Sequence, residues 1–256
     1  MAAQQNAPEH NTGARPVGAA TDQDAAANVQ QMFDTIAPKY DLLNHLLSVG
    51  IDRWWWSRAA RAFRPILERP EAVALDLCCG TGDMTVALLK HRPGSSSDVP
   101  ILAVDFSHQM LFRGAGKFAP HNIIPIEADA LHLPIASNSI DLVTSAFGFR
   151  NLSNYEAGLA ELYRILRPGG QIGILDFNQP TGLVGALYNL YFRQILPRFG
   201  GLVSGDPAAY TYLPESVARF PRPSRMIELI SQAGFISPGW TSYTFGTAGL
   251  YRAIKP

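Results

Sequence analysis

The chain is predicted to be an α/β protein with a mainly parallel sheet, and three observations predict it. Between residues 73 and 177, short apolar runs alternate with segments of helical period, the pattern of βαβ units. The first run, in VALDLCCGTGDM (Val73–Met84), ends in a carboxylate and breaks into a turn with two glycines, Gly80 and Gly82, before a helix resumes at Asp83. The second run also ends in an acid, Asp105. In such sheets ligands sit at the carboxyl ends of the strands, so the turn and the two acids mark the expected site.

The composition bounds the function. The 256 residues are 47% hydrophobic, with 21 basic and 21 acidic side chains and a net charge of zero. That balance argues against electrostatic capture of nucleic acid, which needs a concentrated basic surface. No run of about 18 apolar residues is present, so no membrane-spanning helix is expected. No basic stretch followed by an apolar core opens the chain, and the cytoplasm is the default location. The adjacent Cys78 and Cys79 make a poor disulfide and, without matching partners, a poor zinc site; they are expected as small side chains packed beneath the turn.

Taken in order, residues 1–27 lack an apolar period and read as a disordered tail, leaving 28–256 as a single domain with a helical cap at 28–70. Val29, Met32, Phe33 and Ile36 recur at helical spacing, and a second amphipathic segment after Pro38 runs into Trp54, Trp55 and Trp56. Successive residues do not share a helix face, so the three tryptophans cannot all line one channel. Strands are expected at Val73–Leu77, Ile101–Asp105, Ile123–Glu127, Ile140–Ser145 and Gln171–Phe177. Helices are expected at Asp83–His91, at Ser107–Phe118 with Ser107 as cap, and at Asn154–Leu166, where RPGG (Arg167–Gly170) stops the helix. The apolar stretch Gly182–Gly201 reads as a helix on the sheet edge or a lid touching a membrane. A last helix at Arg222–Gly234 and an antiparallel hairpin over Trp240–Ile254 complete a seven-stranded sheet.

A carboxylate about 20 residues beyond the glycines is placed to accept two ribose hydroxyls, so Asp105 points to a nucleoside. Asp76 is expected to define the pocket with it. The turn admits close backbone approach, and the helix start behind it presents free N–H groups. Asp83 would repel a pyrophosphate at that helix start but not a zwitterionic amino acid or a sulfonium, which favours a methyl donor over a dinucleotide. Asp129 and Ala130, after the third strand, suit an adenine amino group and face.

The motifs LDLCCGTGD, AVDFS, SIDLVTSAFG and ILRPGGQIGILD resemble, in order and spacing, those of class I S-adenosylmethionine-dependent methyltransferases with a Rossmann-like fold. YDLLNHLLSVGIDRWW (Tyr40–Trp55) and RILRPGGQIGILDF (Arg164–Phe177) resemble the two signatures of the UbiE/MenG family. FGFRN (Phe147–Asn151) and YTYLPESVARFP (Tyr210–Pro221) are similar to other segments of that family. The resemblance implies C-methylation of a prenylated quinol ring, most directly demethylmenaquinol in menaquinone biosynthesis, with a ubiquinone-pathway 2-methoxy-6-polyprenyl-1,4-benzoquinol as the alternative. It implies S-adenosyl-L-methionine as cofactor, held at Thr81, Asp105, Asp129 and Ala130. The sequence departs from the family at Cys78, where a glycine is usual, at Asp52 for a histidine, at Ala146 for a serine, and at Asn178 for another serine. Cys78 is expected to adopt a backbone conformation that a β-carbon tolerates.

Methyl transfer to carbon needs a ring whose hydroxyl is losing its proton, together with positioning and exclusion of water; no metal is required. Arg150 and Asn151, after the fourth strand, are the candidate catalytic pair, with a structural ion pair as the alternative for Arg150. Tyr40 and Asp41 are candidate closing residues. His132 is the histidine nearest the expected pocket, a surface role being its plainer reading. A prenylated acceptor would bring a cytoplasmic enzyme into transient contact with the inner membrane surface. Rival functions are methylation of another lipophilic acceptor, nucleoside binding without catalysis, and nicotinamide-dependent reduction.

Overall fold

The computed structural model describes residues 13–16, 18–39, 50–92, 99–182, 185–186 and 207–256. His10, Tyr40, Asp41, His45 and most of the 182–201 stretch lie outside them. One seven-stranded sheet runs in the order β3-β2-β1-β4-β5-β7-β6. Its strands are β1 (Ala74–Leu77), β2 (Ile101–Asp105), β3 (Ile123–Glu127), β4 (Ile140–Ala146), β5 (Leu166–Phe177), β6 (Ile236–Tyr243) and β7 (Ala248–Ile254). The pairs among β1 to β5 are parallel, and β7 is antiparallel to both β5 and β6. The α/β class and the C-terminal antiparallel hairpin are as expected, with β7 slotted between β5 and β6.

β1 is buried along its whole length between parallel neighbours, which is why its sequence is apolar without alternation. Strand order reverses between β1 and β4, so their carboxyl ends open the crevice where ligands bind in such sheets. Side chains alternate between two cores. Leu75, Leu77, Val143, Ile172, Ile174 and Tyr251 face helices α6 (Tyr155–Ile165) and α8 (Pro223–Gln232). Ala74, Ala103, Leu142, Leu175 and Leu250 face α2 (Ile51–Ala62), the short α3 (Arg64–Leu67) and α4 (Asp83–Leu89). Phe63, 1% exposed, lies flat on Gly173, where an added β-carbon would come within 2.4 Å of the ring. Burying such a ring contributes about 3 kcal/mol.

The Ser107 cap expected from sequence is present, and Asn154 caps a further helix. The Ser107 hydroxyl accepts from Met110 N at 3.1 Å to start α5 (His108–Phe118), and Asn154 accepts from Ala157 N at 2.9 Å to start α6. Helix α6 stops just ahead of RPGG, but β5 begins at Leu166, earlier than the expected Gln171. The helix ends at Ile165, and RPGG fills a register shift inside β5 between the pairs Ile140–Leu166 and Leu142–Gln171. Lys255 closes this corner, its Nζ donating to Asn138 Oδ1 and to the carbonyls of Tyr163 and Leu166.

The N-terminal reading needs correction. Helix α1 spans Asp22–Ile36, starting inside the expected tail, because Thr21 and Asp24 form a reciprocal capping box. Ala14, just ahead of it, is buried, and its N–H donates to Leu152 O at 2.8 Å. The expected cap also divides. Trp55 and Trp56 on α2 are core residues of the sheet face, Trp54 points outward, and α1 packs on α5.

Candidate active site

The turn after β1 is held by Cys79 N–H to Val104 O (3.0 Å) and Gly82 N–H to Cys79 O (2.9 Å). Cys78, Gly80 and Gly82 all have positive φ, at +53°, +55° and +90°. Cys78 therefore occupies the left-handed region that favours glycine, contrary to expectation, at a cost of about 1 kcal/mol. It is tolerated because Gly148 lies opposite, where any β-carbon would come within 2.3 Å of that of Cys78. Gly82 is required by packing, since a β-carbon there would meet the Phe118 ring at 2.2 Å.

The acids differ in role. Asp76 is fully buried beneath the turn, accepting from the Thr85 hydroxyl (2.6 Å) and the Thr144 hydroxyl (3.0 Å). It braces β1, β4 and α4 and does not line the pocket as expected; burial raises its pKa to about 7. Asp105 stands at the crevice with its oxygens accepting from Gly80 N (2.7 Å) and Ser107 N (2.9 Å). The carboxylate keeps acceptor capacity for a further donor. Burial raises the Asp105 pKa to about 6, the backbone amides of Ser107, Gly80 and Phe106 opposing the rise.

Thr81 faces Lys117, whose Nζ donates to its hydroxyl (3.1 Å) and to Asp83 (2.8 Å). The charge of Asp83 is thus offset, and its expected repulsion of a pyrophosphate loses force. Both thiols are free, with pKa values pushed well up by burial.

A cavity of about 40 Å³ opens beside Asp105, lined among others by Cys78, Phe106, Asp129, Ala130, Asn151 and Ala26. It unites Asp105, Asp129, Ala130 and Asn151 from the sequence reading; Thr81, Gly80, Gly82, Asp76 and Arg150 do not line it. Asp129 accepts from Leu131 N at 2.9 Å, and His132, with its side chain 84% exposed, stands 3.5 Å away. The cavity is roofed by α1, with Gln30 donating to Phe106 O (2.7 Å) and the Ser107 hydroxyl donating to Asp34 (2.5 Å). This roof was missed from sequence, although Thr21-x-x-Asp24 is a capping-box pattern that would have placed the helix.

Arg150 is committed elsewhere. Its guanidinium pairs with the buried Asp176 at 3.1 Å, donates to Phe147 O and to Ser216 (3.4 Å), and stacks 5.4 Å from the Phe177 ring centroid. Its backbone N–H donates to the other Asp176 oxygen at 3.0 Å. Burial raises the Asp176 pKa, and Arg150 opposes this. The structural ion pair weighed for Arg150 is present, with a strand-end acid as partner. Asn151 faces the cavity, and its Oδ1 accepts from the Tyr212 hydroxyl at 3.0 Å, a contact no sequence signal announced. Beside the turn, Trp55, Phe147 and Phe177 form a cluster with ring centroids 4.5–5.9 Å apart.

Residues 20–255 match the ubiE/COQ5 methyltransferase family. The chain belongs to that family. It is similar to the demethylmenaquinone methyltransferases of Deinococcus radiodurans, at 46% identity covering 94% of this chain and 97% of that protein, and of Thermus thermophilus, at 42%, 88% and 100%. The ubiquinone/menaquinone biosynthesis C-methyltransferase UbiE of Geotalea daltonii is 39% identical over 89% of this chain and 96% of its own. Among solved structures, a SAM-dependent methyltransferase from Thermotoga maritima shares the fold, with a TM-score of 0.64 at 17% identity over 89% of this chain and all of that one. The fold of the ubiE/COQ5 member described here is thus the Rossmann-like fold of class I methyltransferases, as the sequence motifs implied, and the chain is a methyltransferase.

Proposed function

We propose that this methyltransferase transfers a methyl group from S-adenosylmethionine to a ring carbon of a prenylated quinol, demethylmenaquinol first among them. The observation that carries the reading is the buried Asp105 carboxylate, which faces the crevice between the glycine turn and the Asp129–Ala130 segment. The residues fit the donor. The Asp105 carboxylate, held by backbone amides, keeps acceptor capacity for the ribose hydroxyls. Asp129 would receive the adenine amino group, Ala130 would cover the ring face, and the Gly80–Gly82 turn would take the amino-acid end. When bound, the donor supplies an electrophilic methyl on a positively charged sulfur. Similarity to relatives named for demethylmenaquinone supports the acceptor.

The chain's own part in catalysis is positional and electrostatic. Because Asn151 Oδ1 already accepts from Tyr212, its amide N–H groups are the ones turned to an acceptor hydroxyl or phenolate. Trp55, Phe147 and Phe177 make a dry wall in which the charge lost from sulfur during transfer is little opposed by water. Arg150 holds the loop that carries Asn151 through its pair with Asp176. The test is incubation of the pure protein with S-adenosylmethionine and demethylmenaquinol, or the corresponding benzoquinol, followed by mass spectrometry. Conversion of the naphthoquinol to its methylated form is expected. Methylation of neither quinol would overturn the acceptor assignment, and failure to bind S-adenosylhomocysteine in calorimetry would overturn the donor.

A further inference from the structure

Helix α2 buries Asp52, Trp55, Trp56, Ala59 and Ala60 and turns outward a face of Ile51, Arg53, Trp54, Ser57, Arg58 and Arg61. That outer face carries three guanidinium groups and no carboxylate, in a chain whose charges balance overall. Among the described residues, none of the three arginines is in an ion pair with an acid. Ile51 is 40% and Trp54 50% exposed.

A second element meets this face. Trp54 packs edge-on against Tyr243 at 5.7 Å, Arg58 lies over both rings, and Trp55 Nε1 donates to Thr244 Oγ1 at 2.8 Å. These contacts hold the Thr244–Gly246 turn, in which Thr244 and Phe245 take φ of +44° and +56°, values that side chains rarely adopt. Phe245, next in the chain to the two residues that contact α2, is 84% exposed.

We propose that the outer face of α2 and the Thr244–Gly246 turn form a docking surface for an anionic phospholipid bilayer. Phe245, Trp54 and Ile51 enter the interfacial layer, and Arg53, Arg58 and Arg61 meet the lipid phosphates. The partner follows from chemistry: guanidinium groups complement anionic headgroups, and protruding aromatic and aliphatic side chains require an apolar layer just beneath them. A nucleic acid would use the cations but offers nothing to Phe245 and Ile51. The proposal rests on the reading of a prenylated acceptor for its purpose, since such a substrate resides in the bilayer.

The test is flotation of the full chain with vesicles of phosphatidylcholine alone or mixed with phosphatidylglycerol, with no quinol present. Binding is expected on the mixed vesicles and should weaken with salt. The combined Arg53→Gln, Arg58→Gln, Arg61→Gln variant should lose about a hundredfold in partitioning, from ~1 kcal/mol per arginine near an anionic surface. A Phe245→Trp variant should show indole fluorescence quenched by bromine-labelled acyl chains. Retained binding by the arginine variant would overturn the proposal. So would absence of quenching, or capture by DNA that exceeds capture by mixed vesicles. Turnover of a short-chain, water-soluble quinol separates the two readings. If it proceeds while flotation fails, this surface is wrong and the acceptor stands. If flotation succeeds while neither quinol is methylated, the surface stands and the acceptor is wrong.

Discussion

Arg150→Met should destabilise the fold more than it disturbs any step of chemistry. Arg150 is 6% exposed and Asp176 is fully buried, and their 3.1 Å contact is supported by the Phe147 carbonyl and the Phe177 ring. Removing the guanidinium leaves a buried carboxylate held only by the backbone N–H groups of Arg150 and Phe177. Breaking a buried pair from one side costs about 3–5 kcal/mol. For a chain of this length that lowers the melting midpoint by roughly 10 °C. The loss should depend on pH. Burial already raises the Asp176 pKa, and without Arg150 it rises further. The penalty is therefore full above that raised folded-state value and fades as pH falls through it, because the folded state then takes up the proton. Urea unfolding of parent and variant across a pH series measures both effects. A variant within about 1 kcal/mol of the parent near neutral pH, yet inactive, would refute the structural role and return Arg150 to the catalytic part expected from sequence.

Replacing Asp105 by Ala should weaken S-adenosylhomocysteine binding by at least about a hundredfold in calorimetry, since two hydroxyls lose a charged acceptor. Donor affinity of the parent should itself fall below about pH 6, as Asp105 takes up a proton and stops accepting. Over the same fall in pH, Asp76 and Asp105 should add stability between about 7 and about 4, both being raised above their unfolded values, which thermal melts would register. Gly148→Ala should destabilise by about 2 kcal/mol through contact with Cys78, and Cys78→Gly in the same chain should restore most of it. Asn151→Leu should lower kcat on the quinol by about a hundredfold, with a stability loss of about 1–3 kcal/mol from the unpaired Tyr212 hydroxyl that urea unfolding registers separately.

Much of this architecture was legible because local rules sufficed. The bounds of β2 and β3 follow from apolar runs closed by turn residues, and Ser107 announces the helix it caps. What escaped the sequence is non-local or depends on which way a side chain points. Asp76 lies in a strand buried on both faces, so no alternation reveals that it points down to Thr85 and Thr144 and away from the crevice. The partner of Arg150 lies on another strand, and the salt link from Lys117 to Asp83 spans two helices. The early start of α1 was written in Thr21 and Asp24 but hidden by the polar composition around them. Cys78 shows the limit of reading one position at a time, because its left-handed backbone is permitted by a missing side chain at Gly148.

The helix lying across Phe106 and Ser107 sets a condition on traffic. Roughly 40 Å³ accommodates a water or two, while pockets for small organic ligands start near 300 Å³. A nucleoside beside Asp105 needs more room than this, and α1, tied to Phe106 and Ser107 through Gln30 and Asp34, is an element whose displacement would provide it. Ser107 can let Asp34 go and still accept from Met110, so α5 remains capped when the way is clear. With the donor seated at Asp105 as proposed, exchange of the spent nucleoside would go by way of a shift of α1.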